Sequence, residues 1–267
     1  MWQHAIVAWR SGLRSRSFQA LFILGVLVLG GAYLASLFSG RQPATVALDV
    51  GISGVRFVAV LMVVFWCQEL VAREVERRTV FLALAYPVPR AYYLVGRYLG
   101  VVSLAALAVF LLGLMLTGSA YLAGREYLQA SPIDLGWGLW LTLLFILIDV
   151  AVVGAVTMLI AALSSTPLLP LAIGAGFAVA ARSLGTTIAY LKDKDSGATE
   201  WSATLGPVVD VLHWLIPDLG RLDIRAVTLY SQVPTLQALA WPAGMCLAYI
   251  VVTLALAVLV FRRRQFI

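Results

Sequence analysis

Long uninterrupted runs of apolar residues constrain this chain more than any other feature of its sequence. The first run is FQALFILGVLVLGGAYLASL, residues 18–37, and five more follow at 54–71, 94–121, 137–163, 167–190 and 239–261. About 20 apolar residues in a helix cross the hydrocarbon core of a bilayer. The runs do not alternate apolar and polar residues as barrel strands do, so helices are the spanning structure expected in lipid. The sequence predicts an all-α membrane protein with six transmembrane helices.

The composition supports a membrane protein. Apolar residues make up 62% of the 267 positions and charged residues 12%, whereas a soluble domain carries about 25% charged residues. So few charges cannot cover a water-facing surface. Cys67 and Cys246 both fall inside predicted spans, and we interpret them as small core residues rather than as a disulfide or a metal pair.

The distribution of basic residues predicts the orientation of the helices. If the N-terminus is cytoplasmic, eleven arginines lie on the cytoplasmic side: Arg10, Arg14, Arg16, Arg73, Arg77, Arg78, Arg90, Arg97, Arg262, Arg263 and Arg264. Six basic residues then lie outside: Arg41, Arg125, Lys192, Lys194, Arg221 and Arg225. The positive-inside rule therefore places both termini in the cytoplasm.

Two further segments are predicted to lie at the membrane surface. In residues 1–16, Trp2, Ile6, Trp9 and Leu13 recur at helical spacing, which is typical of an interfacial helix. The alternative for this segment is a disordered tail. The connection 191–235 is long, and it turns apolar at PVVDVLHWLIPDLG, residues 207–220. A loop of this length usually has structure of its own, so we expect short extracytoplasmic helices between the fifth and sixth spans.

Residues 73–90, REVERRTVFLALAYPVPR, form a charged and then apolar segment between the second and third spans. Glu69 and Arg73 are four residues apart, as are Glu74 and Arg78, a spacing that supports an exposed helix. Phe81 and Leu84 belong to a short apolar patch, and Pro87 ends the helix because proline has no amide hydrogen. This helix needs a surface to pack on, either lipid headgroups or another protein.

The same region resembles the signature of the ABC-2 family of ATP-binding cassette (ABC) transporter permeases. That signature has Arg-Glu-x-Glu, Gly-Thr, a leucine run, Pro-x-x-Arg and then Gly-Lys. The parts of the signature are matched here, in order, by Arg73-Glu74-Val75-Glu76, Thr79, Leu82 with Leu84, Pro87 to Arg90, and Gly96-Arg97. The sequence departs from the signature at Arg78, where the family has glycine. The N-terminal helix, the six spans and the arginine-rich C-terminus extend the resemblance over the whole chain.

The resemblance implies a role for residues 73–90 as a coupling helix that docks on a separate nucleotide-binding subunit. It assigns contacts with that subunit to Glu74, Glu76, Arg77, Arg78, Thr79, Phe81, Leu84, Pro87 and Arg90. Phe81 and Leu84 would fill an apolar notch. It also implies a second permease chain, in a homodimer or a heterodimer, and a type V exporter-like arrangement in a bacterial cytoplasmic (inner) membrane.

The sequence contains no G-x-x-x-x-G-K-[ST] phosphate loop, so ATP and Mg²⁺ are expected in the partner subunit and no cofactor in this chain. An intramembrane enzyme is the rival class. It is disfavoured because the two histidines, His4 and His213, lie outside the predicted spans and on opposite sides of the membrane, and no metal or catalytic residues are predicted. Nucleic acid is not an expected partner, but membrane lipids are.

Asp149 is the one acidic residue placed mid-span, in LLFILIDVAVVGAV. Because a charge there costs about 2.5–3.5 kcal/mol on insertion scales, it should face the bundle or a cavity. Two roles stay open: lining the translocation path (or pairing across a dimer), and a polar contact between helices. Arg56 and Arg182 are expected near the outer ends of their spans, where they can extend to the interface.

The cargo expected from the apolar bundle is hydrophobic, amphipathic or polymeric, with export favoured by the family. The alternative is a membrane subunit that transmits force to an extracytoplasmic accessory protein, for example in metalloenzyme maturation, without a small-molecule substrate.

Overall fold

The computed structural model describes residues 2–72, 90–125, 133–164, 166, 168–192 and 216–263, and it contains no strand within these ranges. The N-terminal helices are α1 (Trp2–Arg14), α2 (Arg16–Leu37) and α3 (Pro43–Cys67), and α3 continues into a π-helical turn, Gln68–Ala72. The rest are α4 (Arg90–Gly124), α5 (Trp137–Leu163), α6 (Leu168–Lys192), a 3₁₀ turn (Leu219–Leu222), α7 (Arg225–Tyr230) and α8 (Leu236–Arg263).

Six of these helices, α2 to α6 and α8, are long and apolar enough to cross a membrane, as the sequence predicts. Their bounds differ most at α3, which begins at Pro43 rather than near residue 54. Thr45, Asp49 and Gly51 interrupt the apolar run there, yet the helix continues because proline suits a first helical turn and Asp49 has a cationic partner. The longest helix, α4, has 35 residues and exceeds what a span needs.

The centre of the bundle is formed by α3 and α5, in each of which 72% of the most apolar window is buried. The α3 helix packs against α2, α4, α5 and α6, and α5 packs in addition against α8. By contrast, less than a third of the corresponding window is buried in α2, α6 and α8. These three helices therefore form the periphery.

The two ends of the bundle can be told apart by contacts. At one end the Phe18 and Trp66 rings stack at 5.3 Å, and the Tyr93 and Phe261 rings stack at 5.8 Å. The helices α3, α5 and α8 begin at the other end of the bundle, which we call the distal end. There the Asp134 amide donates to the Thr228 carbonyl at 3.0 Å, so the segment 216–235 packs on this end.

The N-terminal segment forms the helix α1, separated from α2 by Ser15, whose hydroxyl accepts a hydrogen bond from the Phe18 amide at 3.1 Å. This helix packs chiefly on α4, where Gly12 is buried against the Leu104 side chain. Ile6 and Trp9 of the predicted apolar stripe remain more than a third exposed. A helix is thus present in residues 2–14, and its position in the headgroup layer stays a prediction.

Candidate functional site

Asp149 lies at the centre of the bundle with its side chain 1% exposed. Its Oδ2 accepts hydrogen bonds from two nitrogens of Arg182, Nη2 at 2.5 Å and Nε at 3.2 Å. The two residues meet because α5 and α6 are joined by a short turn. Asp149 is fourteen residues before the end of α5 and Arg182 fourteen after the start of α6, so both lie about 21 Å from the turn at 1.5 Å per residue.

Arg56 of α3 approaches the same carboxylate from the other side. Its Nε is 3.7 Å from Asp149 Oδ2, and its Nη1 donates to Asp223 Oδ2 at 2.8 Å. With its side chain 8% exposed, Arg56 is among the few buried cations of the described residues. Buried arginine requires anionic partners because desolvation of an unpaired charge is costly, and here two carboxylates meet that need.

Asp223 connects this centre to the distal end. It accepts from Arg225 Nη2 at 2.6 Å, and Arg225 Nη1 in turn donates to Asp49 Oδ1 at 2.7 Å and to the Ser53 hydroxyl at 3.1 Å. Asp49, Ser53 and Arg56 are spaced i, i+4 and i+7, so one face of α3 holds them all. The result is a row of alternating charges, which we call the charge chain: Asp49, Arg225, Asp223, Arg56, Asp149 and Arg182.

The charge chain runs from the surface into the core. Side-chain exposure falls from 50% at Asp49 to 32% at Arg225, 24% at Asp223, 8% at Arg56 and 1% at Asp149. It rises again to 26% at Arg182. Three acidic and three basic residues make the chain neutral overall, which suits an apolar bundle.

Electrostatics hold Asp223 in its charged form. Partial burial by itself raises the pKa of this carboxyl, but the hydrogen bonds from Arg225 and Arg56 outweigh burial and hold the pKa well below its usual range. The hydrogen bond with Asp223 likewise raises the pKa of the Arg225 guanidinium. Both groups are therefore ionised at neutral pH, and the pair is a fixed ionic contact between residues 216–230 and α3.

Other contacts hold residues 216–230 on the bundle. The Thr142 and Thr228 hydroxyls lie 2.9 Å apart in a fully buried pair. Leu219, Leu222 and Leu229 are buried in the core. The carboxylate of Asp218 packs so close to the backbone of Gly185 that a Cβ at that position would collide with it. This segment thus forms two short helical turns, in keeping with the sequence-based expectation, and it is an integral part of the bundle.

The expectation that Arg56 and Arg182 lie near the outer ends of their spans is wrong for both, since each lies near the middle of a 25-residue helix. Neither side chain simply extends to the end of its helix, because each has a carboxylate partner beside it inside the bundle. Asp49, Asp223 and Arg225 were not singled out from the sequence. The α3 spacing of Asp49, Ser53 and Arg56 was a usable signal, but their partners come from a segment about 170 residues away, a contact that spacing alone cannot reveal.

One of the predicted coupling residues, Arg90, lies at the opposite end of the bundle from Asp49. Arg90 is the first residue of α4. The other eight lie outside the described residues: Glu74, Glu76, Arg77, Arg78, Thr79, Phe81, Leu84 and Pro87. The π-helical turn Gln68–Ala72 leads directly to them. The described residues contain no cluster of His, Cys, Asp or Glu with metal-site geometry, and Cys67 and Cys246 are free and buried.

Fold and composition together define a helical protein with six helices able to span a membrane and a charge chain in its core. Comparison with known proteins returns no match, either to a family model or to a curated protein.

Proposed function

We propose that this protein is the membrane subunit of an ABC transporter, a permease of the ABC-2 type. The observation that carries the proposal is the signature from Arg73 to Arg97, which begins where α3 and its π-helical turn end and runs into the first two turns of α4. In a permease of this type the segment between the second and third spans contacts the ATPase. Here those two spans are the helices α3 and α4, which pack against each other.

In this proposal residues 73–90 form the coupling helix. The charged residues Glu74, Glu76, Arg77 and Arg78 contact the surface of the nucleotide-binding subunit, and Phe81 with Leu84 enters an apolar notch. Thr79, Pro87 and Arg90 complete the set of residues assigned to contacts with that subunit. ATP and Mg²⁺ bind to the partner, and closure of two ATPase subunits moves two membrane subunits by a rigid-body transition.

The orientation proposed from the basic residues places the termini and residues 73–90 in the cytoplasm and the distal end outside. A bacterial cytoplasmic membrane and a second permease chain follow from the resemblance. Export of a hydrophobic, amphipathic or polymeric cargo agrees with a bundle whose charge chain holds equal numbers of acidic and basic residues.

A second function, transmission of force to an extracytoplasmic protein, is favoured by the charge chain. Asp223 and Arg225 attach the distal segment to α3, the helix whose other end leads to residues 73–90. A movement of α3 would therefore be passed on to a surface that an extracytoplasmic partner can contact. Transport of cargo into sealed vesicles in the absence of any accessory protein would contradict this second function and leave the first.

The coupling helix can be tested by co-purification. We expect the double variant Phe81→Asp with Leu84→Asp to insert normally but to lose its nucleotide-binding subunit and the associated ATP hydrolysis, because two carboxylates cannot enter an apolar notch. Val233→Asp is the matched control, since Val233 is 94% exposed and at the distal end. Retention of a stoichiometric ATPase by the double variant would refute the assignment.

A further inference from the structure

One link in the charge chain differs from the rest. The other four links are hydrogen bonds of 2.8 Å or less, whereas Arg56 Nε and Asp149 Oδ2 are 3.7 Å apart. A separation above about 3.5 Å is too long for a direct hydrogen bond, and polar groups at such a distance can be joined by a bridging molecule. The break lies at the most buried point of the chain.

Three polar atoms at this break have no hydrogen-bond partner among the described residues. They are Nε and Nη2 of Arg56 and Oδ1 of Asp149. Both side chains are more than nine-tenths buried. Buried polar groups are almost always hydrogen-bonded, so each unmatched atom in a native protein requires a reason. Three of them on two facing residues indicate a ligand rather than three separate defects.

The arrangement of the three atoms defines the chemistry of that ligand. Nε and Nη2 share one edge of the guanidinium and present two parallel N–H groups. One oxygen can accept from both, as Asp149 Oδ2 does from the same two nitrogens of Arg182. Asp149 Oδ1 requires a donor, because a carboxylate only accepts. The ligand must therefore accept from Arg56 and donate to Asp149, and an oxygen that carries a hydrogen, in water or in a hydroxyl group, does both.

Charge balance excludes ions from this position. The groups that face the break are Arg56, Asp149, Arg182 and Asp223, with Arg225 behind Asp223 and Asp49 behind Arg225. With all six groups ionised they carry no net charge, so an added anion or cation would remain uncompensated in an apolar bundle. A neutral ligand leaves the balance intact.

We propose that the break between Arg56 and Asp149 is a binding site for one neutral hydroxyl oxygen, which completes the charge chain from Asp49 to Arg182. Buried waters typically make about three hydrogen bonds to otherwise unmatched groups, and three such groups are present. The flanking side chains of Asp223 and Arg182 are 24% and 26% exposed. The source of the oxygen is water or a hydroxyl-bearing membrane molecule. The site does not depend on the transport proposal.

The test is a structure of the full chain at a resolution that shows ordered water, from two preparations. One keeps native lipid, and the other is delipidated and returned to nanodiscs of phosphatidylcholine, which has no hydroxyl in its headgroup. We expect density within hydrogen-bond distance of Arg56 Nε, Arg56 Nη2 and Asp149 Oδ1. Compact density in both preparations identifies water, and extended density in the native one alone identifies a hydroxyl-bearing molecule. A direct hydrogen bond between Arg56 and Asp149 with no density between them overturns the proposal.

A pair of conservative variants sharpens the test. Arg56→Lys keeps the charge beside Asp223 but removes the paired N–H edge, so the density should be lost. Arg182→Lys changes only the group on the far side of Asp149, which bonds Oδ2, so the density should remain. Density that persists unchanged in Arg56→Lys would show that the guanidinium does not hold the ligand and would refute the site. The wild-type structure decides the question by itself if either variant fails to fold.

Discussion

Replacing Asp149 with valine removes the carboxylate between Arg182 and Arg56 while adding little volume. Arg56 keeps a hydrogen bond to Asp223 in this variant, but Arg182 loses its one carboxylate partner among the described residues. We expect the variant to be destabilised mainly by the uncompensated charge of Arg182, and much less by the change in packing.

The magnitude follows from burial. Removing one partner of a buried ion pair costs about 3–5 kcal/mol, and because Arg182 is about a quarter exposed, we expect a loss near the lower limit, about 3 kcal/mol. Arg182→Met should also destabilise the protein, since it leaves the buried Asp149 carboxylate with Arg56 at 3.7 Å as its remaining cationic neighbour among the described residues. The double variant Asp149→Val with Arg182→Met replaces the pair by apolar side chains, a change that is often neutral.

The assay is reversible unfolding of the purified proteins in mixed micelles by titration with SDS, followed by tryptophan fluorescence, as the chain has eight tryptophans. The four proteins form a double-mutant cycle, which isolates the interaction between the two residues. We expect a coupling free energy of at least about 3 kcal/mol, so that the double variant is more stable than Asp149→Val alone.

Two outcomes would refute this reasoning. If Asp149→Val lowered the free energy of unfolding by less than about 1 kcal/mol, the carboxylate would contribute no more to stability than a surface ion pair does. If the losses of the two single variants simply added, Asp149 and Arg182 would act independently, and their hydrogen bonds would carry no specific energy.

Three further predictions concern other contacts. Because the pKa of Asp223 is held below its ordinary value, its ionic contacts stabilise the fold at every pH above its unfolded-state pKa of about 3.9, and this stabilisation is lost as the pH falls further, through the folded pKa. Protease protection of residues 216–230 should thus persist from neutral pH to about pH 4. Loss of protection near pH 6 would contradict this. Gly154→Ala should destabilise the protein by about 1 kcal/mol or more, since the new Cβ would lie 2.8 Å from Val63 Cγ1. Gly118→Ala is the control and should be neutral, because nothing lies within 4 Å of its new Cβ. Equal stability of the two variants in SDS titration would refute the packing argument. Tyr98→Phe should lower the free energy of unfolding by about 1 kcal/mol in the same titration, because the buried hydroxyl donates to the Ala151 carbonyl at 2.9 Å. A variant as stable as the wild type would show that this hydrogen bond makes no net contribution to stability.

Most of the fold could be predicted because membrane spans are a local property. A run such as residues 137–163 is apolar over most of its length, with Asp149 as its one charged residue, and α5 has those same bounds. The start of α3 could not be predicted in this way. Asp49 and Thr45 make that turn too polar to look like part of a span, and its stability depends on Arg225, a residue distant in sequence.

The candidate site was predictable only in part. Asp149 is conspicuous because a lone carboxylate in an apolar run requires a partner, and its position in the bundle core agrees with that expectation. Whether it also lines a translocation path stays a prediction. The coupling residues from Glu74 to Arg90 rest on their resemblance to the permease signature, and co-purification with an ATPase is the measurement that tests them.

The sequence by itself determined the class of structure, since apolar runs of sufficient length can be satisfied only as helices across a bilayer. It also determined that Asp149 must find a partner, because an isolated charge in that position is too costly. Only the tertiary structure decided which partners those are. Arg182 and Arg56 come from two other helices, and Arg56 is itself paired with Asp223 from a third segment. Electrostatic pairing depends on distances in space that spacing along the chain does not encode.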